Sequence, residues 1–226
     1  MSDLSQWNDE MYEKYPTRRG VFHFNPIPRF IEYARMRSVL KGCGDVKGKR
    51  ILEIGCEQGI LTARIPEGYK ELIATDISPR ALEDAKKFCK KPRIKFLVRD
   101  ATKKMEFSEN HFDIIICSET LEHVPDYMAV VKEMHRLLRP AGRLSLSVPY
   151  EKSITSAKRF LTKLKIFDLL FTSIESHTSE WHVNQFDKAS ICQALEDYFS
   201  ITRAKYVPFP FIGPKIIVIA QKKIPQ

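Results

Sequence analysis

Short apolar runs alternate along most of the chain with segments whose apolar residues recur at helical spacing. Five of the short runs are rich in Ile, Leu and Val and almost continuously apolar, which is typical of parallel strands covered on both faces. These predicted strands are Arg50 to Ile54, Glu71 to Asp76, Ile94 to Val98, Phe112 to Cys117 and Arg143 to Val148. Helices are predicted between them at Gln58 to Ile65, Pro79 to Lys90 (with Ser78 as its N-cap) and Asp126 to Leu138.

The alternation of strand and helix predicts the α/β class, with a doubly wound, Rossmann-like sheet and helices on both faces. Towards the end of the chain, a helix is predicted near Lys188 to Tyr198. Two further apolar runs, Ser200 to Val207 and Lys215 to Ala220, predict an antiparallel pair at the sheet edge. We therefore expect a mostly parallel sheet of seven strands with an antiparallel last strand.

Two regions lie outside this predicted core. Residues 1–45 are expected to form an N-terminal helical cap, because prolines precede a helical pattern that stops at Gly42. Residues 46–226 are expected to form one domain with a helical insert at about 150–186. Apolar residues of the insert recur at helical spacing between Ile154 and Phe171, and basic residues fall on another face. Such a helix covers the sheet edge, lies on an anionic bilayer or contacts a partner helix.

Composition narrows the class of protein without naming a ligand. The chain has 226 residues, of which 43% are hydrophobic, enough for one domain with its own core. Its net charge of +9 favours an anionic partner such as nucleic acid, anionic lipid or a phosphorylated metabolite. Its five cysteines show no CxxC pair, as is typical of reduced intracellular thiols. Neither a secretory signal nor an apolar run of roughly 20 residues occurs, so we expect a cytoplasmic protein, with peripheral membrane attachment left open.

The stretch RILEIGCEQGIL, residues 50–61, places a glycine turn directly after the first predicted strand. Dinucleotide-binding turns follow the order G-x-G-x-x-G, whereas this turn has Glu53, Gly55, Glu57 and Gly59. A carboxylate at Glu57 would repel phosphate groups at close range. The turn therefore favours a ligand that is neutral or cationic at this point.

Two more acidic residues end the next strands. Asp76 ends the second strand, where an acidic side chain can accept hydrogen bonds from both hydroxyls of a ribose. Asp100, in VRDA after the third strand, is placed to accept from an exocyclic amine such as that of adenine. A ligand with a ribose and a base is therefore indicated.

The segments LEIGC, ATDIS, RDA, FDIIICSETLEHVPD and LLRPAGRLSLSVP resemble, in their order and spacing, those of the class I S-adenosylmethionine-dependent methyltransferases. Within that family, they are most similar to the group containing small-molecule and quinone-biosynthesis O-methyltransferases. The resemblance covers residues 48–150 well and the flanks weakly. The family motif is an acid followed by G-x-G-x-G, and this chain has Glu57 at the middle glycine, which bears on the shape of the turn. An acidic turn still suits the amino group and positive sulfur of the cofactor.

The resemblance implies S-adenosyl-L-methionine as the cofactor and an N-terminal segment that folds across it. The cofactor-binding residues that it implies are Glu53, Gly55, Gly59, Asp76, Ile77, Asp100, Ala101 and Cys117. The chain lacks the Asn/Asp-Pro-Pro-Tyr/Phe element of methyltransferases that act on base amines, and the Pro-Cys motif of those that act on cytosine C5. The expected reaction is therefore methyl transfer to a hydroxyl, with carbon or nitrogen less favoured, of a small or lipid-like acceptor.

Two histidines are predicted to be catalytic. His123 lies between a strand end and a helix, and a neutral imidazole near pH 7 can take a proton from a hydroxyl; alternatively, it braces the helix. His182 stands shortly before Phe186, as a His often does in related methyltransferases, so contact with the acceptor is expected. No metal is expected in this interpretation, and the oligomeric state is left open.

Two alternatives remain open from the sequence. Glu119, Glu122 and His123, with His182 or His177, are similar to the two Glu and two His that hold a divalent metal in small-RNA 3′-terminal 2′-O-methyltransferases. RNA would then be the partner, and a basic surface would suit it. The other alternative is a cofactor-binding, non-catalytic subunit of a partner methyltransferase.

Overall fold

The computed structural model describes residues 6, 8–10, 12, 26–153, 155, 156, 159 and 182–223. Within them, seven strands form one sheet. The strands are β1 (Arg50–Ile54), β2 (Glu71–Asp76), β3 (Ile94–Val98), β4 (Phe112–Ser118), β5 (Leu138–Pro149), β6 (Phe199–Val207) and β7 (Lys215–Lys222). Their order in the sheet is β3-β2-β1-β4-β5-β7-β6.

The sheet has the predicted mixture of strand directions. Strands β1 to β5 pair in parallel, whereas β7 runs antiparallel to both of its neighbours, β5 and β6. The predicted α/β, mostly parallel sheet with an antiparallel last strand is therefore confirmed. Strand β5 begins earlier than predicted, at Leu138 instead of Arg143, because Leu138 already pairs with Phe112 ahead of an irregularity in the β4–β5 register.

Four helices have well-defined bounds: α1 (Pro26–Cys43), α2 (Pro79–Phe88), α3 (Tyr127–Leu137) and α4 (Lys188–Glu196). The predicted N-cap of α2 is confirmed, since the Ser78 hydroxyl accepts a hydrogen bond from the N–H of Ala81 at 3.0 Å. Asp126 caps α3 in the same way, and Asp187 caps α4. Helices α2, α3 and α4 thus each begin after a side chain that accepts a hydrogen bond from one of their first N–H groups.

The helix predicted for Gln58 to Ile65 is wrong. The structure has only a 3₁₀ turn there, Thr62–Arg64. Glu57 and Gly59 adopt positive φ values of 46° and 71°, which interrupt a right-handed helix at its start. Pro66 then disfavours helical backbone at the residue before it, and Ile65 is extended with φ −60° and ψ 126°.

Helices cover both faces of the sheet, and alternate side chains of β4 show which helix lies on which face. Ile115 and Cys117 join the core cluster that contains residues of α3 and α4, whereas Ile114 and Ile116 join the cluster that contains residues of α1. Helix α1 approaches the sheet closely at Gly42, where a Cβ would lie 2.1 Å from Ile219 Cδ1. The N-terminal helix is therefore packed closely on the sheet at Gly42, where a larger side chain would have to displace those of Ile219 and Ser145.

Part of the predicted insert can be placed. Residues 151–153, 155, 156 and 159 are helical, and the apolar pattern predicted between Ile154 and Phe171 falls almost entirely outside the described residues, as does His177. Among the described residues, no helix combines the length and the apolarity needed to cross a bilayer.

Candidate active site

The glycine turn after β1 is fixed by β2 and by Thr120. The N–H groups of Gly55 and Cys56 both donate to the carbonyl oxygen of Thr75, at 2.8 and 3.0 Å. Gly55 has a φ of 71°, and a Cβ there would lie 2.3 Å from Thr120 Oγ1. A side chain at residue 55 is thus opposed both by the backbone conformation and by Thr120.

Glu57 keeps the turn closed although it is not a glycine. Its φ of 46° lies in the left-handed region that glycine adopts most readily. Its N–H donates to Oδ2 of Asp76 at 2.8 Å, and the N–H of Ser78 donates to Oδ1 of the same carboxylate at 3.0 Å. The departure from the glycine motif is therefore accommodated by the backbone, with Asp76 as the anchor.

Asp76 retains the capacity to bind a ligand. A carboxylate offers about four acceptor positions, and the backbone N–H groups of Glu57 and Ser78 each occupy one, with a further contact from the N–H of Ile77. Burial raises the pKa of Asp76 to about 6, although these N–H groups oppose the shift. At neutral pH the side chain is thus mostly ionised and keeps acceptor capacity for a ligand.

A cleft opens at the carboxyl ends of β1, β2 and β4. Of the residues predicted to bind the cofactor, Gly55, Asp76, Ile77, Asp100 and Ala101 line it, and His123 lines it as well. Its described lining has four carboxylates, those of Glu57, Asp76, Asp100 and Glu119, and one guanidinium, that of Arg99. The cleft is therefore acidic although the chain as a whole has a net charge of +9.

Three residues that were predicted to bind the cofactor lie beneath the cleft and do not line it. Glu53 is buried, and this burial raises its pKa to about 7. Gly59 lies against α2, where a Cβ would be 3.2 Å from that of Ala85. Cys117 is fully buried in the core. They support the turn and the sheet from below, and a contact with the cofactor stays a prediction for each.

Asp100 is partly engaged with its own loop. Its Oδ1 accepts hydrogen bonds from the N–H of Thr102 at 3.0 Å and from the Thr102 hydroxyl at 2.6 Å, and Oδ2 lies 3.3 Å from Lys103 Nζ. Burial opposes ionisation, but the contacts with Thr102 and Lys103 outweigh it and hold the pKa of Asp100 below its usual value. The predicted contact with an exocyclic amine stays a prediction.

Residues of the N-terminal segment contact the helix beside the cleft. The Tyr12 hydroxyl donates to Oδ2 of Asp84 in α2 at 2.8 Å, and the Ser78 hydroxyl donates to Asp9. Tyr12 is buried and lines the cleft together with Asn8. These contacts are consistent with the expectation that the segment folds across the ligand.

The two predicted catalytic histidines lie side by side. The ring centroids of His123 and His182 are 5.0 Å apart, and their side chains are 13% and 12% exposed. One ligand atom each from Glu122, His123 and His182 lies within 4.8 Å of the others. Nδ1 of His182 also contacts Glu151, whose position in the helical stretch after β5 could not be linked to this site from the sequence.

A hydrogen-bonded clamp brings these distant residues together. The N–H groups of Val183 and Asn184 both donate to the carbonyl oxygen of Glu122, at 2.8 and 3.1 Å. The Asn184 side chain donates to the carbonyl oxygens of Leu121 and Val124, at 3.2 and 2.7 Å. Asn184 therefore positions His182, a role that the sequence analysis missed because an asparagine in a polar loop carries no distinctive signal.

Glu119 does not join the predicted set of metal ligands, and that part of the alternative hypothesis is wrong. Its carboxylate accepts from the Ser147 hydroxyl at 3.0 Å and pairs with Lys215. Lys215 in turn lies 3.2 Å from Glu32 of α1, which pairs with Arg35 at 2.7 Å. The sequence analysis missed this buried chain of charges, because the pairing depends on contacts between strands and helices far apart in the sequence.

Comparison with known proteins finds methyltransferases among the proteins that are similar to this chain. A family model described as "Methyltransferase domain" matches residues 52–146. The chain is 30% identical over 145 residues to a "Ubiquinone biosynthesis O-methyltransferase" of Alkalilimnicola ehrlichii, an alignment that covers 63% of this chain and 54% of the relative. The chain spans about half the length of the first curated relatives that it matches.

Solved structures share the fold at low sequence identity. The N-methyltransferase NodS of Bradyrhizobium japonicum, in complex with S-adenosyl-L-homocysteine, is 17% identical, with a TM-score of 0.67 and coverage of 99% of this chain and 100% of that one. A putative methyltransferase in a complex with the Haloferax volcanii Trm112 methyltransferase activator is 14% identical, with a TM-score of 0.68 and 99% coverage of both chains. At these identities the likeness concerns the fold alone.

Proposed function

We propose that the chain transfers a methyl group from S-adenosylmethionine to a hydroxyl oxygen of a small or lipid-like acceptor. Residues 52–146 match the methyltransferase-domain model, and the segments singled out above resemble those of the class I S-adenosylmethionine-dependent methyltransferases. The names of the curated relatives, which are O-methyltransferases, support oxygen as the methylated atom. The cleft supports the choice of S-adenosylmethionine as the cofactor. The class of acceptor is the more specific part of the proposal.

The observation that carries the proposal is the acidic cleft at the glycine turn. When bound, the cofactor supplies a methyl group on a positively charged sulfur. The residues present fit such a group: Gly55 brings bare backbone to the cleft lining, and the Asp76 carboxylate lines the cleft with acceptor capacity for ribose hydroxyls. The carboxylate of Glu57 in the lining would attract the cationic end.

His123 would take the proton from the acceptor hydroxyl. It lines the cleft, and its backbone N–H donates to the carbonyl oxygen of Thr120 at 3.1 Å. This hydrogen bond fixes the backbone of His123 beside the turn. His182, clamped next to it and held by Glu151, would contact the acceptor and orient the hydroxyl. Proton removal makes the oxygen nucleophilic, and positioning of the two reactants supplies the rest of the acceleration.

A second candidate keeps the methyl transfer and adds a divalent metal. The proximity of Glu122, His123 and His182 favours it, since imidazole and carboxylate ligands suit first-row divalent ions. The contact of His182 Nδ1 with Glu151 would leave Nε2 for a metal, as carboxylate partners do for many ligating histidines. In this version the two histidines and Glu122 would hold the ion, which would supply Lewis-acid chemistry for the acceptor oxygen. The 3′ ends of RNA would then be possible acceptors as well.

The test is transfer of a radiolabelled methyl group from S-adenosylmethionine into a cell extract, which is then separated into lipid, small-molecule, RNA and protein fractions. Label in the lipid or small-molecule fraction, insensitive to a chelator, supports the main proposal. Label in RNA that requires added Mn²⁺ and is lost in Glu122→Gln supports the metal version. Cofactor binding by calorimetry without any transfer would contradict both and favour a non-catalytic subunit.

A further inference from the structure

Helix α1 has an outer face of unusual composition. Five residues spaced three, three, four and four positions apart share this face, and all are exposed: Ile27, Phe30, Tyr33, Arg37 and Lys41. Phe30 and Tyr33 are 55% and 58% exposed. Arg29, also exposed, borders them. The face therefore combines three large apolar or aromatic side chains with three cations.

This face has no acidic side chain to neutralise its cations. Glu32 is the single acid of α1, and it lies on the inner side, where it contacts Arg35 at 2.7 Å and Lys215 at 3.2 Å. An exposed helix face usually mixes charges of both signs and keeps large apolar groups inward. A face of aromatic and basic residues is instead typical of helices that lie in the interface of an anionic bilayer.

A second exposed apolar element stands at the same edge of the sheet as the cleft. The loop between β6 and β7, residues 208–214, has the uncharged sequence PFPFIGP. Phe209, Phe211 and Ile212 are 60%, 90% and 68% exposed. Because β7 runs antiparallel to β5, this loop lies where the parallel strands end, and the next residue, Lys215, contacts both Glu32 of α1 and Glu119 of the cleft.

We infer that the outer face of α1 and the tip of the β6–β7 loop form a docking surface for an anionic lipid bilayer. The cations of α1 would lie at the headgroups, and the aromatic residues with Phe211 would enter the boundary of the acyl chains. Exposed aromatic and apolar side chains next to cations favour an anionic bilayer over a protein or a nucleic acid. Docking would hold the edge of the cleft at the membrane. A lipid-like acceptor could then enter the cleft from the bilayer, a consequence that rests on the proposed function.

The experiment is co-sedimentation of the full chain with phosphatidylcholine vesicles, with and without phosphatidylglycerol. Neither cofactor nor acceptor is needed, so failure of methyl transfer and failure of docking are separate results. Binding is expected to the vesicles that contain phosphatidylglycerol, and to weaken as salt is added. Arg29→Gln with Arg37→Gln should weaken binding about 30-fold, which corresponds to about 1 kcal/mol for each charge removed near the surface.

Matched variants separate docking from general effects of charge and apolarity. Phe30→Ser with Tyr33→Ser, and separately Phe211→Ser, should also weaken binding, while circular dichroism shows an unchanged fold because none of these side chains is buried. The controls lie on and just after α2: Phe88→Ser, at a side chain 46% exposed, and Lys86→Gln with Lys90→Gln. Controls that bind like the wild type support the inference.

Three results would overturn it. The first is no binding of the wild type to phosphatidylglycerol vesicles at low salt. The second is binding that the α1 and loop variants leave unchanged, which would place the contact elsewhere. The third is a wild-type protein that does not bind vesicles but associates with itself in analytical ultracentrifugation, together with variants that no longer associate. That result would make the outer face of α1 an interface between two copies of the chain.

Discussion

The backbone N–H of Glu57 donates a hydrogen bond to Oδ2 of Asp76 across a distance of 2.8 Å. This contact ties the turn after β1 to the end of β2, and the N–H of Ser78 completes it on the other oxygen. Asp76 therefore has two tasks in the proposed site: it shapes the turn, and it offers its remaining acceptor positions to a ribose.

Asp76→Asn is expected to weaken binding of S-adenosylmethionine by about 1 to 3 kcal/mol, the scale of hydrogen bonds to a charged group. The amide replaces one acceptor by an NH₂ donor, which would face an N–H that now has no acceptor. Isothermal titration calorimetry measures the effect. Glu83→Gln is the control, because Glu83 is an exposed acidic residue of α2 that does not line the cleft. Equal affinities of Asp76→Asn and the wild type would refute this assignment.

Glu53→Gln is expected to stabilise the protein at neutral and higher pH. The folded-state pKa of Glu53 is raised from 4.5 to about 7 by burial, so its stabilising contribution is present at low pH and is lost as the pH rises between these values. The difference in unfolding free energy between variant and wild type should grow by about 2 to 3 kcal/mol between about pH 5 and about pH 8.

Urea unfolding of both proteins across this pH range measures the Glu53 effect. Asp76, whose pKa is raised to about 6, adds a dependence of the same sign in both proteins, so only the difference is informative. A difference that does not change with pH would mean that the pKa of Glu53 is the same in the folded and unfolded protein, which would contradict the effect of burial.

His123→Gln is expected to lower turnover by about 10² to 10⁴, the range for loss of a general base, and to change cofactor affinity little. His182→Gln should raise the acceptor KM more than it lowers kcat, because it is proposed to orient the acceptor. Steady-state kinetics with calorimetry on the same samples separates the two. Joint loss of cofactor binding and thermal stability in His123→Gln would instead assign His123 a structural task.

Lys215→Met is expected to destabilise the fold by about 3 to 5 kcal/mol, since it leaves the buried Glu119 without its closest cation. The double variant Lys215→Met with Glu119→Gln should recover much of this loss, because the Glu32–Arg35 pair remains. Denaturant unfolding of the four proteins of this cycle gives the coupling energy. An additive double variant would show that the two side chains stabilise the fold independently.

The sheet could be predicted from the sequence because the apolar runs report burial directly. In β4, neighbouring residues such as Ile115 and Ile116 face opposite cores, and both must be apolar, so the run is unbroken and easy to recognise. The helix predicted at Gln58 failed for a reason that is not local in sequence: Glu57, with a positive φ, is held in the turn by a hydrogen bond to Asp76, 19 positions away.

The candidate site was predicted only where its residues follow strand ends. Asp76 and Asp100 reach the cleft because parallel strands end at one edge. The grouping of Glu119 with Glu122 failed, since neighbours in sequence were assigned to one cluster while the partner of Glu119, Lys215, lies on another strand. Asn184 and Glu151 had no pattern to identify them, because their partners are fixed by tertiary contacts.

The clamp formed by Val183 and Asn184 has a consequence for how acceptor preference can diverge among descendants of this chain. Its four hydrogen bonds go to carbonyl oxygens of residues 121–124, so almost any side chains at those positions would preserve them. Insertions or deletions in the stretch that joins residue 159 to residue 182 need not displace His182. The histidine pair can thus be retained while the length and sequence of residues 160–181 change.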